Sequence, residues 1–275
     1  MNSYALLKYY DINFIKYYST IIHNLKIHKI LIFKKITYIK LFSEMKNWNI
    51  LQHLIPILFP NYCVVCGVTL KSKEEEACPQ CIEALPQASI KVYISASNMN
   101  STYGALYIEL GVYMYNLKQD NGIEKMLHAF KYRNKQKLGQ LLSKNLAIKF
   151  NLLNNVKFDC IIPMPLYKDK LKTRGYNQSL IIAKEISNII NIPINSTAVI
   201  RHKNTFTQTN KCKRDRYKNL KNAFTVIDQN SIKGKHILMV DDVITTGATL
   251  QSLGKELMLK GAGKISFASL AKASI

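Results

Sequence analysis

The residues best suited to chemistry lie between His236 and Leu250, where an apolar run ends at Asp241 and Asp242 and is followed, after Val243 and Ile244, by Thr245, Thr246, Gly247, Ala248 and Thr249. Carboxylates only accept hydrogen bonds, so a pair of them suits two vicinal sugar hydroxyls, which offer two donors. A small-residue loop that enters a helix presents backbone N–H groups and the positive helix end to a phosphate dianion. Gly247 lets the backbone approach closely, and the hydroxyls of Thr245, Thr246 and Thr249 add donors. Capping explains one hydroxyl and solvation explains an acid at a strand end. Neither explains paired acids on an apolar strand that runs directly into such a loop. The segment therefore reads as a site for a phosphorylated ribose. Asp241 and Asp242 are its candidate catalytic residues.

Cys63 and Cys66, then Cys78 and Cys81, form two CxxC pairs with eleven residues between them. Four thiolates in two tight knuckles suit tetrahedral Zn²⁺ in a closed, structural site, because four protein ligands leave no position for water. Either pair alone could be a redox dithiol, and two pairs in one short segment argue against that. Cys160 and Cys212 stand apart and read as ordinary core or loop cysteines. The six cysteines, with no cleavable signal peptide, point to metal ligation in a reducing cytoplasm rather than to disulfides.

These groups need a scaffold, and the hydrophobic pattern supplies one. Residues 105–115 are rich in β-formers, residues 123–147 carry two helical patterns around a turn at 131–137, and 158–163 is a short buried strand. Asn177 opens a helix over 178–190, residues 235–240 form the strand that ends at the aspartates, 248–260 is a helix and 264–270 a strand. Strands and helices alternate as in a parallel sheet with crossover helices, and such sheets bind ligands at the carboxyl ends of their strands. The fold class expected is α/β.

Three segments are expected around this domain. Ile50, Leu51, Leu54, Ile55 and Leu58 recur at helical spacing over 48–59, ending at Pro60, and serines and asparagines over 95–101 read as a linker. Residues 1–44 are expected to be upstream sequence translated before a natural start at Met45, against a surface anchor or organellar address as alternatives. The expected organisation is 1–44 as an extension outside the fold, 45–95 as a short helix with a double zinc-ribbon-like module, and 103–275 as the main domain.

Composition decides less. The formal charge of +22 arises from 39 Lys and Arg against 17 Asp and Glu in 275 residues. Such a charge favours phosphate partners. Here it is spread along the chain and accompanies abundant Asn, Ile and Tyr, so it reads as compositional bias. No stretch reaches the roughly 18 to 20 apolar residues of a membrane span. The best candidate, 30–42, is broken by Lys34, Lys35 and Lys40. Over 201–221 the chain carries Arg201, Lys203, Lys211, Lys213, Arg214, Arg216, Lys218 and Lys221 with Phe206 and Tyr217 among them. Two readings stand for it: a track for single-stranded nucleic acid, or a solvated loop over the site.

Residues 240–249 resemble the PRPP-binding motif of type I phosphoribosyltransferases. That likeness implies a central parallel sheet, 5-phosphoribosyl 1-pyrophosphate (PRPP) bound with Mg²⁺, and exchange of pyrophosphate for a nucleophile at the anomeric carbon. The stretch from Asp159 through Pro163, Met164, Pro165 and Leu166, the segment Arg174, Gly175, Tyr176, Asn177, Gln178 and Ser179, and the run from Arg216 to Phe224 are similar to the ComF family. The similarity runs from about Met45 to the C-terminus, and the family carries a comparable four-cysteine module. It implies that Pro163, Met164 and Pro165 receive the pyrophosphate end. It also implies a part in single-stranded DNA uptake during competence, beside a helicase. Arg174 is then a candidate bidentate anion contact and Lys131 a second one, each against the alternative of an exposed basic residue. Asn177 is read equally as an N-cap. The acceptor and the oligomeric state are not readable from the chain.

Overall fold

A computed structural model describes residues 60–71, 76–85, 91–93, 108–117, 122–151, 156–202 and 223–273. The expected extension at 1–44, the helix at 48–59, the linker at 95–101, Cys212 and the basic segment beyond His202 lie outside these residues. The elements in chain order are α1 (Pro79–Glu83), β1 (Lys91–Tyr93), β2 (Gly111–Leu117), α2 (Gly122–Tyr132), α3 (Gln136–Asn151), β3 (Cys160–Pro163) and α4 (Lys168–Arg174). They continue with α5 (Gln178–Ile190), β4 (Val199–Arg201), β5 (Phe224–Val226), β6 (His236–Ile244), α6 (Ala248–Leu259) and β7 (Lys264–Ala273).

Five strands form one sheet in the order β1-β2-β7-β6-β3. β2, β7, β6 and β3 are mutually parallel, and β1 is antiparallel to β2 at one edge. β4 and β5 make a separate antiparallel ribbon. At the opposite edge the Ile161 N–H donates to the Pro193 carbonyl at 2.8 Å and the Asn195 N–H donates to the Ile161 carbonyl at 2.8 Å, which covers the outer side of β3.

Period-two alternation along the central strands divides the core between the two faces of the sheet. Leu238 and Val240 of β6 pack with α2, α3 and α5, whereas Ile237 and Met239 pack with α6 and the β4–β5 ribbon. α2 offers Ile123, Met126, Leu127 and Phe130 at helical spacing, all buried. Gly139 is needed where α3 crosses α2, because a Cβ there would collide with the Phe130 ring.

Two sequence expectations change. β6 does not stop at Val240 but continues to Ile244, so Asp241 and Asp242 lie within the strand. Residues 168–174, which had no assigned structure, form α4 and end at Gly175, whose φ of 78° closes the helix in the left-handed region. Among the described residues no helix is long and apolar enough to cross a membrane.

Candidate functional site

Asp241 and Asp242 are carried to the carboxyl end of β6, which lies between β7 and β3. β3 ends beside them: Pro163 pairs with Val240, and the Met164 N–H donates to the Val240 carbonyl at 2.8 Å. Residues 163–166 therefore leave the sheet next to the two acids. On the other side, residues 245–247 turn into α6 through Gly247, whose φ is 75°. A side chain other than glycine would be strained at that φ. The Ala248 N–H donates to Thr246 Oγ1 at 3.4 Å, and the Gln251 N–H closes the first helical turn on the Gly247 carbonyl at 2.9 Å. Thr245 is exposed, and Thr246 and Thr249 are half-buried.

Asp242 is buried and ion-paired, with its Oδ1 2.9 Å from the Lys131 ammonium at the end of α2. Asp241 Oδ1 accepts from Ser179 Oγ at 3.1 Å and from the Asp242 N–H at 2.9 Å. Burial, and then repulsion from Asp242, push the Asp241 pKa up to about 7, although Lys131 and these hydrogen bonds favour its ionised form.

Arg174 Nη1 donates to Gln178 Oε1 at 3.0 Å, Nη2 donates to the Tyr132 hydroxyl at 3.4 Å, and the guanidinium carbon lies 5.1 Å from the Tyr132 ring centre. Asn177 serves two purposes: its Oδ1 caps α5 by accepting from the Ser179 N–H at 3.0 Å, and its Nδ2 donates to the Met164 carbonyl at 3.1 Å. Sequence reasoning gave no role to Lys170 and counted Arg201 only within the basic segment 201–221. Burial lowers the Lys170 pKa, and the positive charges of Arg201, Arg174 and Lys131 lower it further. Burial also lowers the Arg201 pKa, against an opposing attraction from Asp241. Cations from α2, α4 and β4 thus share one field with the acidic pair. Their spacing in the chain gives no hint of it.

The four cysteines converge, with their sulfurs all within 4.8 Å of one another. Cys66 and Cys78 Sγ are 3.7 Å apart. With Zn–S near 2.3 Å, a tetrahedral site has sulfur–sulfur edges of about 3.8 Å, so this donor set fits a zinc-sized ion. Burial opposes the Cys63 thiolate. The backbone N–H groups of Cys66, Cys78 and Val65 outweigh it and hold its pKa at about 6. Cys81 is pushed up to about 12 by burial and by the neighbouring sulfurs. Thiols crowded in this way resist full ionisation unless a cation shares them. The first knuckle turns at Gly67 (φ 76°), and Cys78 stands at the N-cap of α1.

This module packs directly on α2 and α3. Cys63, Leu70, Ala77, Cys78 and Leu85 join the same core as Ile123 and Leu138. Lys125 Nζ donates to the Val65 carbonyl at 3.2 Å, and Glu76 Oε2 accepts from the Leu138 N–H at 2.8 Å in the first turn of α3.

The phosphoribosyl transferase domain family matches residues 177–274, which include β6, its loop and α6. Competence protein F of Haemophilus influenzae is 30% identical over 220 residues, covering 78% of this chain and 86% of that protein. The chain belongs to the ComF family. Competence protein ComFC of Bacillus subtilis is 27% identical to this ComF-family chain over 223 residues, 80% of it and 86% of the relative. DNA utilization protein YhgH of Escherichia coli K12 is 29% identical over 147 residues, 52% of this chain and 64% of that protein, just under two thirds of its length. In this ComF-family chain the parallel sheet and the four-cysteine ribbon-like module stand as the sequence led one to expect.

Proposed function

We propose that the chain binds a phosphoribosyl ligand, PRPP with Mg²⁺, at the carboxyl end of β6 and acts as a phosphoribosyltransferase. The observation that carries this reading is the pair Asp241 and Asp242 on a central parallel strand that runs through residues 245–247 into the N-terminus of α6. The amides of that turn, with the hydroxyls of Thr245, Thr246 and Thr249, would take the 5′-phosphate. The two carboxylates would accept from the ribose hydroxyls, and residues 163–165 with Lys131 and Arg174 would face the pyrophosphate. The cations that share the field of the two acids suit the phosphates of PRPP, and Mg²⁺ would enter bound to those phosphates. When bound, Mg²⁺ would neutralise charge on the departing pyrophosphate. The chain's own part is to orient the sugar and hold the cations against the developing charge.

The four cysteines would hold one structural Zn²⁺, supported by the sulfur spacing above and by a donor set that completes a tetrahedral shell.

Titration calorimetry with PRPP tests the main reading. Mg²⁺-dependent binding is expected, and it should vanish in Asp241→Asn/Asp242→Asn. Failure of the wild-type chain to bind PRPP at any Mg²⁺ concentration defeats it. The names of the relatives, competence proteins and a DNA utilization protein, favour a second reading, in which the same fold has a part in handling DNA. The family resemblance narrows this to single strands handled beside a helicase. It predicts salt-sensitive single-strand binding that weakens on neutralising Lys213, Arg214 and Arg216.

A further inference from the structure

The stretch from the last residue of α4 to the first turn of α5 reaches three walls of the site that are far apart in sequence. Arg174 engages Tyr132 at the end of α2, Asn177 engages the Met164 carbonyl after β3, and Ser179 engages Asp241 on β6. The fourth contact is the Tyr176 hydroxyl, which donates to the Phe130 carbonyl while the two rings meet at a tilt of 38° with centroids 5.8 Å apart. That carbonyl belongs to the last turn of α2, where the final carbonyls lack intrahelical partners. The next residue is Lys131, whose ammonium sits on Asp242. A lysine ammonium on a flexible four-carbon stem is placed only as well as its backbone is held.

We propose that Tyr176 is a positioning residue of the ligand site: by fixing the Phe130 carbonyl it sets the end of α2 so that Lys131 stays paired with Asp242. The consequence for ligand binding rests on the phosphoribosyl reading above. Burial, its largest cause, raises the Tyr176 pKa to about 12, so the hydroxyl remains a donor at physiological pH. Among the described residues, the charged groups around the acidic pair are Lys131 from α2, Lys170 and Arg174 from α4, and Arg201 from β4. Of these, Lys131 is the one that the Tyr176 contact places. A ring that served only to fill the core would need no hydroxyl, so removing that oxygen separates the two roles.

The test compares Tyr176→Phe, Lys131→Met and the double variant, each confirmed as folded by its melting profile. Carbon-13 NMR of the aspartate carboxyls in the ligand-free chain follows the titration of the Asp241–Asp242 pair. Tyr176→Phe should raise the apparent midpoint, Lys131→Met should raise it further, and the double variant should match Lys131→Met. Calorimetry with ribose 5-phosphate should show about threefold to tenfold weaker binding for Tyr176→Phe, the range that one hydrogen bond spans. In the Lys131→Met background the same change should cost less than about twofold. An unchanged midpoint in Tyr176→Phe, or an equal shift in both backgrounds, overturns the proposal. If the wild-type chain binds no ribose 5-phosphate, the phosphoribosyl reading fails, and the carboxyl titration still decides the role of Tyr176.

Discussion

Lys131 Nζ lies 2.9 Å from Asp242 Oδ1, joining the end of α2 to the carboxyl end of β6 across the site. The side chains retain 21% and 11% exposure, so the pair is shielded from solvent far more than an ordinary surface ion pair. Removing one partner of such a pair leaves the other charge without compensation in a poorly solvated place.

Lys131→Met should therefore destabilise the fold by about 1–2 kcal/mol at neutral pH, less than for a fully buried pair because some solvent reaches it. Urea unfolding measures this directly. A variant as stable as the wild type would mean that the contact is a surface pairing of no consequence.

Asp241→Asn should act in the opposite direction. The Asp241 pKa stands at about 7, raised from 3.8 by burial first and by Asp242 second. The folded state thus holds this proton more tightly than the unfolded chain does. The associated stability is fully present below about pH 4 and is lost as pH rises through about 7. Asparagine keeps the oxygen that accepts from Ser179 and carries no charge. The melting temperature of the variant should exceed that of the wild type above neutrality and converge with it in acid, while phosphoribosyl binding is lost. A variant that melts lower at alkaline pH contradicts the burial assignment.

Cys66→Ser should bring bound zinc from about one equivalent per chain to a small fraction of one, since structural zinc depends on all four ligands. Metal analysis by inductively coupled plasma mass spectrometry reads the result. A wild-type chain purified with far less than about one equivalent would reject the four-thiolate site.

Glu76→Ala should cost about 1 kcal/mol, the usual worth of a capping interaction, because Glu76 supplies the acceptor for the Leu138 N–H. Zinc content should not change. Chemical denaturation beside metal analysis distinguishes loss of this cap from loss of the module.

What the chain reveals by itself follows from how local each signal is. β6, its acids and its loop lie within fifteen consecutive residues, and the two cysteine pairs within nineteen, so their chemistry was legible. The end of β6 was misjudged because the aspartates look like a strand terminus, yet Val243 pairs with Ala271 and keeps the strand going to Ile244. α4 has one apolar residue, Leu171, which is 43% exposed, and so no stripe announces it. β4 and β5 are three residues each and find one another only across the chain between them. Lys131 was one lysine among many in the sequence. Its distinction comes from Asp242, which only folding brings within reach.

The seating of the cysteine module on α2 and α3 also limits how the protein can be divided. A chain begun at residue 103 would keep the four parallel strands and lose only the antiparallel edge strand β1. It would uncover the apolar flank now shielded by Leu70, Ala77 and Leu85 and strip α3 of a donor's acceptor at its first turn. Such a fragment should be sticky and poorly behaved in isolation, so the module is better regarded as a keystone of the larger domain than as a detachable accessory.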